Sequence, residues 1–162
     1  MTKNNYKMII LLDIDGVMLP EPFEEMKILP DAFKEFTQTS VASLNRLLGD
    51  TQAEIVLTTN HRISFSNDEW IAIFRARNIH IDSISKVNDL DSIYKMMDRG
   101  TEIKEWVDSV GFDTNYVIID DDYAINTLPT HIKNRWVMTD PTIGLNDVAT
   151  NKALNILLSN TY

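Results

Sequence analysis

Cysteine is absent from the 162 residues, which excludes disulfides, thiolate nucleophiles and zinc–cysteine sites. Positive charge is scarce: 15 Lys and Arg against 24 Asp and Glu leave a net charge of −9 at pH 7. A broad nucleic-acid-binding face needs clustered cations and is therefore disfavoured, whereas a local pocket that grips one phosphate is not. No apolar run approaches the ~20 residues that span a bilayer. The short apolar stretch that begins at Met8 runs into Asp13 and Asp15 without a small-residue cleavage site, so it reads as a strand and not as a signal peptide. No repeat, low-complexity tract or Pro/Gly/Ser-rich linker divides the chain. The expectations are a single domain over residues 1–162, a cytoplasmic location and no membrane partner, with the oligomeric state left open.

What is present is a repeated switch between short apolar runs and helix-period stretches. That pattern predicts an α/β fold with a doubly wound, mainly parallel five-stranded sheet. Strands are predicted at Met8–Leu12, Glu54–Leu57, His80–Ile84, Tyr116–Ile119 and Arg135–Met138. One helical stripe joins Val41, Leu44, Leu47 and Leu48, with Gly49 as its end. Another joins Trp70, Ile71, Phe74 and Arg77 behind an Asn67 or Asp68 cap. A third runs through Ile103, Trp106, Val107 and Val110, between a Thr101 cap and a Gly111 stop. Val148, Ala149, Leu154, Leu157 and Leu158 suggest a closing helix. In such sheets the ligand site lies outside the carboxyl ends of the strands.

That rule points to the residues that follow the strands. In Asp13-Ile14-Asp15-Gly16, two carboxylates sit two apart where an apolar strand ends, so both face one way. Carboxylates this close repel, and the site wants a cation or a shared proton. Thr59 and Asn60 close the second strand, where a hydroxyl and backbone N–H groups can hold phosphoryl oxygens; Thr58 is the rival hydroxyl. His61 and Arg62 follow directly, and Arg suits phosphate. Lys104 lies early in its helix, where a cation opposes the helix dipole unless an anion is held there. Asp120 and Asp121 follow the fourth strand; oxygen-only ligands suit magnesium, while Asp122 reads as a solvated loop residue. His80 and His131 share no metal-ligand spacing with His61.

Taken in order, LLDIDGV, VLTTN, Lys104 and VIIDDD resemble the four motifs of the haloacid dehalogenase (HAD) phosphohydrolase superfamily. Within it, VLTTNHR, TEIKEW, VIIDDD and RWVMTDPTIGL resemble the small HAD domain of "Swiss Army knife" RNA-repair proteins. The resemblance implies a HAD-like Rossmannoid fold and Asp13 as a nucleophile that forms an aspartyl-phosphate. Asp15 would be its acid/base partner, with Thr59 and Lys104 neutralising the transferring group. Mg2+ would be held by the Asp13 carboxylate, the Asp15 backbone carbonyl and Asp121, with Asp120 in support. Superfamily members often carry a cap domain. Here residues 19–39 are long enough for a flap with Phe23, Met26, Ile28, Phe33 and Phe36 on its apolar side, but not for a lid, so a capless site is expected.

The expected function is thus Mg2+-dependent phosphomonoester hydrolysis, and the expected substrate is a phosphorylated polynucleotide end gripped by Mg2+, Lys104 and Arg62, with Phe23 or Trp70 for stacking. A small-metabolite or nucleotide phosphatase, or a silent HAD-like binding domain, is the alternative. A phosphorylation-receiver domain would need an Asp after its middle strand and a Lys after its last, an order this chain lacks.

Overall fold

The computed structural model of the chain describes residues 6–88, 95–110 and 113–159. Its frame is a five-stranded, all-parallel sheet with order β3-β2-β1-β4-β5. The elements in chain order are β1 (Lys7–Leu12), α1 (Gln38–Thr51), β2 (Glu54–Leu57), α2 (Asn67–Ala76), β3 (Ile84–Lys86), α3 (Arg99–Val110), β4 (Thr114–Asp120), α4 (Thr130–Lys133), β5 (Trp136–Met138) and α5 (Asp147–Ser159). The chain winds outward from β1 to β3, then crosses to the far side of β1 to lay down β4 and β5. The crevice at that reversal is where a doubly wound sheet places its ligand.

Alternation along β1 explains the three layers. Ile10 and Leu12 pack with Leu44 and Leu47 of α1, Trp70 and Phe74 of α2, and Leu154 and Leu157 of α5. Ile9 and Leu11 face the other side, with Ile103, Trp106 and Val107 of α3 and Ile132 of α4. A strand covered on both faces must be apolar throughout, and each fully buried Ile or Leu contributes about 1.5–3 kcal/mol.

Several element ends differ from the sequence expectation, each for a local reason. Gly49 does not end α1; the helix runs to Thr51, and Gln52, left-handed at φ 56°, closes it by donating its N–H to Leu48 O. α2 is capped by Ser66 in a reciprocal capping box with Glu69, not by Asn67 or Asp68. β3 is Ile84–Lys86 and not His80–Ile84: Ile81 packs against the core from the loop, which gives the run an alternation, but pairing with β2 starts only at Ile84. α3 begins at Arg99, because the Asp98 carboxylate accepts from Thr101 N–H (3.1 Å) and from its hydroxyl (2.5 Å). The Gly111 stop lies outside the described residues.

The flap segment is docked on the body. Phe33 and Phe36 are buried, and an isolated antiparallel bridge pairs Ile28 with Lys34. Arg77, past the end of α2, donates to Lys34 O, Phe33 O and Asp31, and stacks over the Phe33 and Phe36 rings. Among the described residues no helix is long and apolar enough to cross a membrane.

Candidate metal and phosphoryl site

β1 delivers Asp13 to the crevice. Its N–H donates to Ile119 O, which continues the β1–β4 ladder one step past the strand, and its side chain is almost fully buried. The chain then turns at Gly16, whose φ of +80° a side chain would strain. A Cβ there would stand 2.3 Å from Asp121 Oδ2, so glycine is what lets the β4 acid approach the β1 turn. Thr139, just beyond β5, secures the same turn by donating its hydroxyl to Gly16 O at 2.8 Å.

β4 delivers Asp120 and Asp121. One carboxylate oxygen from each of Asp13, Asp120 and Asp121 lies within 4.8 Å of the others, a group of hard ligands able to hold a metal ion. Burial first, then Asp120, pushes the Asp13 carboxyl well above its usual range, with Arg99 opposing. Asp121 is raised as well, chiefly by burial. Asp120 is fully buried and accepts from the Thr58 hydroxyl at 3.1 Å and from Asp122 N–H at 3.0 Å.

Arg99 is the cation of the cluster, and sequence inspection passed over it. Its Nη1 stands 2.5 Å from Asp120 Oδ2 and 3.5 Å from Asp13 Oδ2. Burial alone would lower its pKa; Asp120 and then Asp13 reverse this and hold the guanidinium above its ordinary value. Lys104 is placed elsewhere: it is exposed and paired with Asp108 at 2.6 Å, one turn along α3. Five positions separate the two residues, which puts them about 140° apart around the helix. The signal that could have found Arg99 was the Asp98 cap, which starts the helix early and turns Arg99, Glu102 and Ile103 inward.

The loop after β2 contributes Thr59 and Asn60 to an open cavity of about 240 Å3, which also exposes Asp13, Asp15, Arg99 and Asp121. Thr59 caps the following short turn, with its hydroxyl oxygen accepting from His61 N–H at 3.2 Å. Thr58, its rival, is turned to Asp120 instead. Asp15 is the exposed member of the first pair, and its Oδ2 lies 2.9 Å from His61 Nε2. Its carboxylate is not one of the three-acid group.

Arg62 does not face the cavity. It is fully buried, ion-paired to Glu102 of α3, and donates to Thr58 O and Thr59 O. Burial pushes Arg62 down and Glu102 up, each opposed by its partner. The pair locks the Thr59 loop to the helix that carries Arg99, a positioning role in place of the expected substrate contact. Trp70 is likewise unavailable for stacking: its ring is buried and its Nε1 donates to Arg62 O. Phe23 does line the cavity. Asp122 caps the turn after β4 and also lines it, while His80 and His131 are exposed elsewhere.

No curated protein and no solved structure matches the chain. The family described as the HAD domain in Swiss Army Knife RNA repair proteins matches residues 9–149, from within β1 into α5, and so takes in every acid, hydroxyl and cation of the cavity. The chain belongs to this family of HAD domains.

Proposed function

We propose that the protein is a magnesium-dependent phosphomonoester hydrolase that works through an aspartyl-phosphate on Asp13. The observation that carries this is the meeting of Asp13, Asp120 and Asp121 within 4.8 Å beside the exposed Asp15. The donor set is all oxygen and strongly anionic, which fits Mg2+ and not a soft metal. Asp13, Asp121 and the Asp15 carbonyl would hold the ion, with Asp120 supporting from beneath, where Thr58 and Arg99 already engage it. When bound, it would neutralise the carboxylates and phosphoryl oxygens so that an anionic nucleophile can approach phosphorus.

The chain's own residues supply the rest. An Asp13 oxygen attacks phosphorus, the bond to the leaving oxygen breaks, and Asp15 delivers a proton to that oxygen. Asp15, now ionised, takes a proton from water as the water attacks phosphorus; the Asp13–phosphorus bond breaks and inorganic phosphate departs. His61 orients Asp15 through the 2.9 Å contact. The Thr59 hydroxyl and the Arg99 guanidinium line the same cavity and steady the transferring oxygens, as preorganised donors do.

The substrate we infer is the phosphate at a polynucleotide end, handled in the cytoplasm. Two observations favour it: the family description names RNA repair, and the short docked segment 19–37 leaves the cavity open to a large substrate. The charge of −9 restricts the grip to the terminal unit. Phosphate release should need Mg2+ and stop with a chelator; full activity in excess chelator overturns the metal role. A 3′-phosphorylated oligonucleotide should exceed a sugar phosphate in kcat/KM, and a sugar-phosphate preference of about tenfold would move the protein to small-metabolite chemistry.

A further inference from the structure

Next to the acidic cavity lies a second one, of about 370 Å3, which shares Asp15 and Phe23 with it. We propose that this second cavity holds the ring of the leaving group, and that it selects phosphate monoesters whose alcohol carries a flat heteroaromatic base. The proposal rests on the hydrolase reading and names where its substrate extends.

Asp15 fixes the direction. The oxygen it protonates is the one that joins phosphate to the rest of the substrate, so that remainder must start at Asp15, and this cavity opens from the same side chain. The walls then define its chemistry. Phe33 and Phe65 meet edge to face at 5.9 Å, and Phe33 meets the His61 ring at 5.3 Å. These rings pair with one another to form a continuous aromatic wall, and what that wall presents to the cavity suits the face or edge of a further ring. Polar groups are sparse and mixed: His61, Ser64 and Lys34, whose Nζ donates to Phe23 O at 2.6 Å. An alkyl chain would leave these donors and acceptors unused, whereas a base edge can pair with them. Ile28 stands 64% exposed at the rim, apolar surface that a bound ring would cover. The volume falls at the small end of ligand cavities, the size of one nucleoside rather than a strand.

The test compares adenosine 3′-monophosphate with ribose 3-phosphate: both esters break at the ribose 3-oxygen, and the leaving alcohol carries a base at C1 in the first and a hydroxyl there in the second. With Mg2+, the wild type should favour the nucleotide by about tenfold or more in kcat/KM, the order expected of one stacked base. Ile28→Asp, on an exposed position that should not disturb folding, and Phe23→Ala should bring the ratio to within about threefold. Calorimetry of the same two ligands on Asp13→Asn protein gives a readout free of turnover. Equal turnover of both compounds would overturn the cavity assignment and leave the hydrolase reading standing. Base-dependent binding with no turnover of either compound would sink the hydrolase reading, and with it the leaving-group role. A base preference that survives both substitutions would place the ring elsewhere and overturn the proposal.

Discussion

At the residue scale the proposed chemistry turns on which side chains would meet phosphorus and which would hold those in place. Asp13→Asn should lower turnover by about 10³-fold or more, since an amide cannot serve as nucleophile. Because burial raises the Asp13 carboxyl, its ionised form opposes folding at neutral pH. The Asn protein should therefore melt, in chelator, at the same or a higher temperature than wild type. A lower melting temperature would contradict the burial penalty on the Asp13 carboxylate, and a tenth of wild-type turnover retained would remove Asp13 from its role as nucleophile. Arg99→Met should cost about 10²–10³-fold in kcat, as loss of a preorganised charge does. Lys104→Met, which breaks only an exposed pair with Asp108, should stay within about twofold. The reverse ranking would return the cationic role to Lys104. The acids were legible in the sequence because a carboxylate pair at the end of an apolar strand has few structural explanations. Arg99 was not, because a cation's direction depends on helix phase, and the phase was set by an Asp98 cap that pattern alone did not single out. Arg62 misled for a related reason: guanidinium chemistry suits phosphate and a buried carboxylate alike, and only Glu102 on another helix decides between them.

At the scale of elements, strands buried on both faces announced themselves by unbroken apolar runs, while edge and end positions did not. Ile81, packed on the core from a loop, imitated a strand, and the Ser66–Glu69 capping box was readable beside the Asn67 and Asp68 candidates. The flap illustrates a contact that sequence spacing could not reveal, since Asp31 and Arg77 are 46 positions apart. The Arg77 hydrogen bonds hold the Asp31 carboxyl below its usual range. A lowered carboxylate stabilises the fold above its ordinary pKa of 3.8 and loses that contribution as pH falls through the lowered folded value. Asp31→Asn should thus flatten the acid limb of a melting-temperature profile below about pH 4 and leave its shape unchanged near neutrality. A profile that keeps its full acid slope would show that the pair does not anchor the flap. Arg77→Leu should cost about 2–3 kcal/mol in urea unfolding, because buried Phe33 and Ile73 carbonyls lose their donor.

At the scale of the molecule, a parallel sheet whose winding reverses at β1 brings the ends of β1, β2 and β4 to one crevice, and the sequence places an acid or hydroxyl at each. The aspartyl-phosphate on Asp13 is the central claim, and trapping it tests that claim most directly. Wild-type protein turning over adenosine 3′-monophosphate with Mg2+ in the presence of hydroxylamine, followed by peptide mass spectrometry, should carry a hydroxamate at residue 13. The modification should vanish when substrate or Mg2+ is withheld. Continued release of phosphate from protein whose Asp13 stays unmodified would contradict the account.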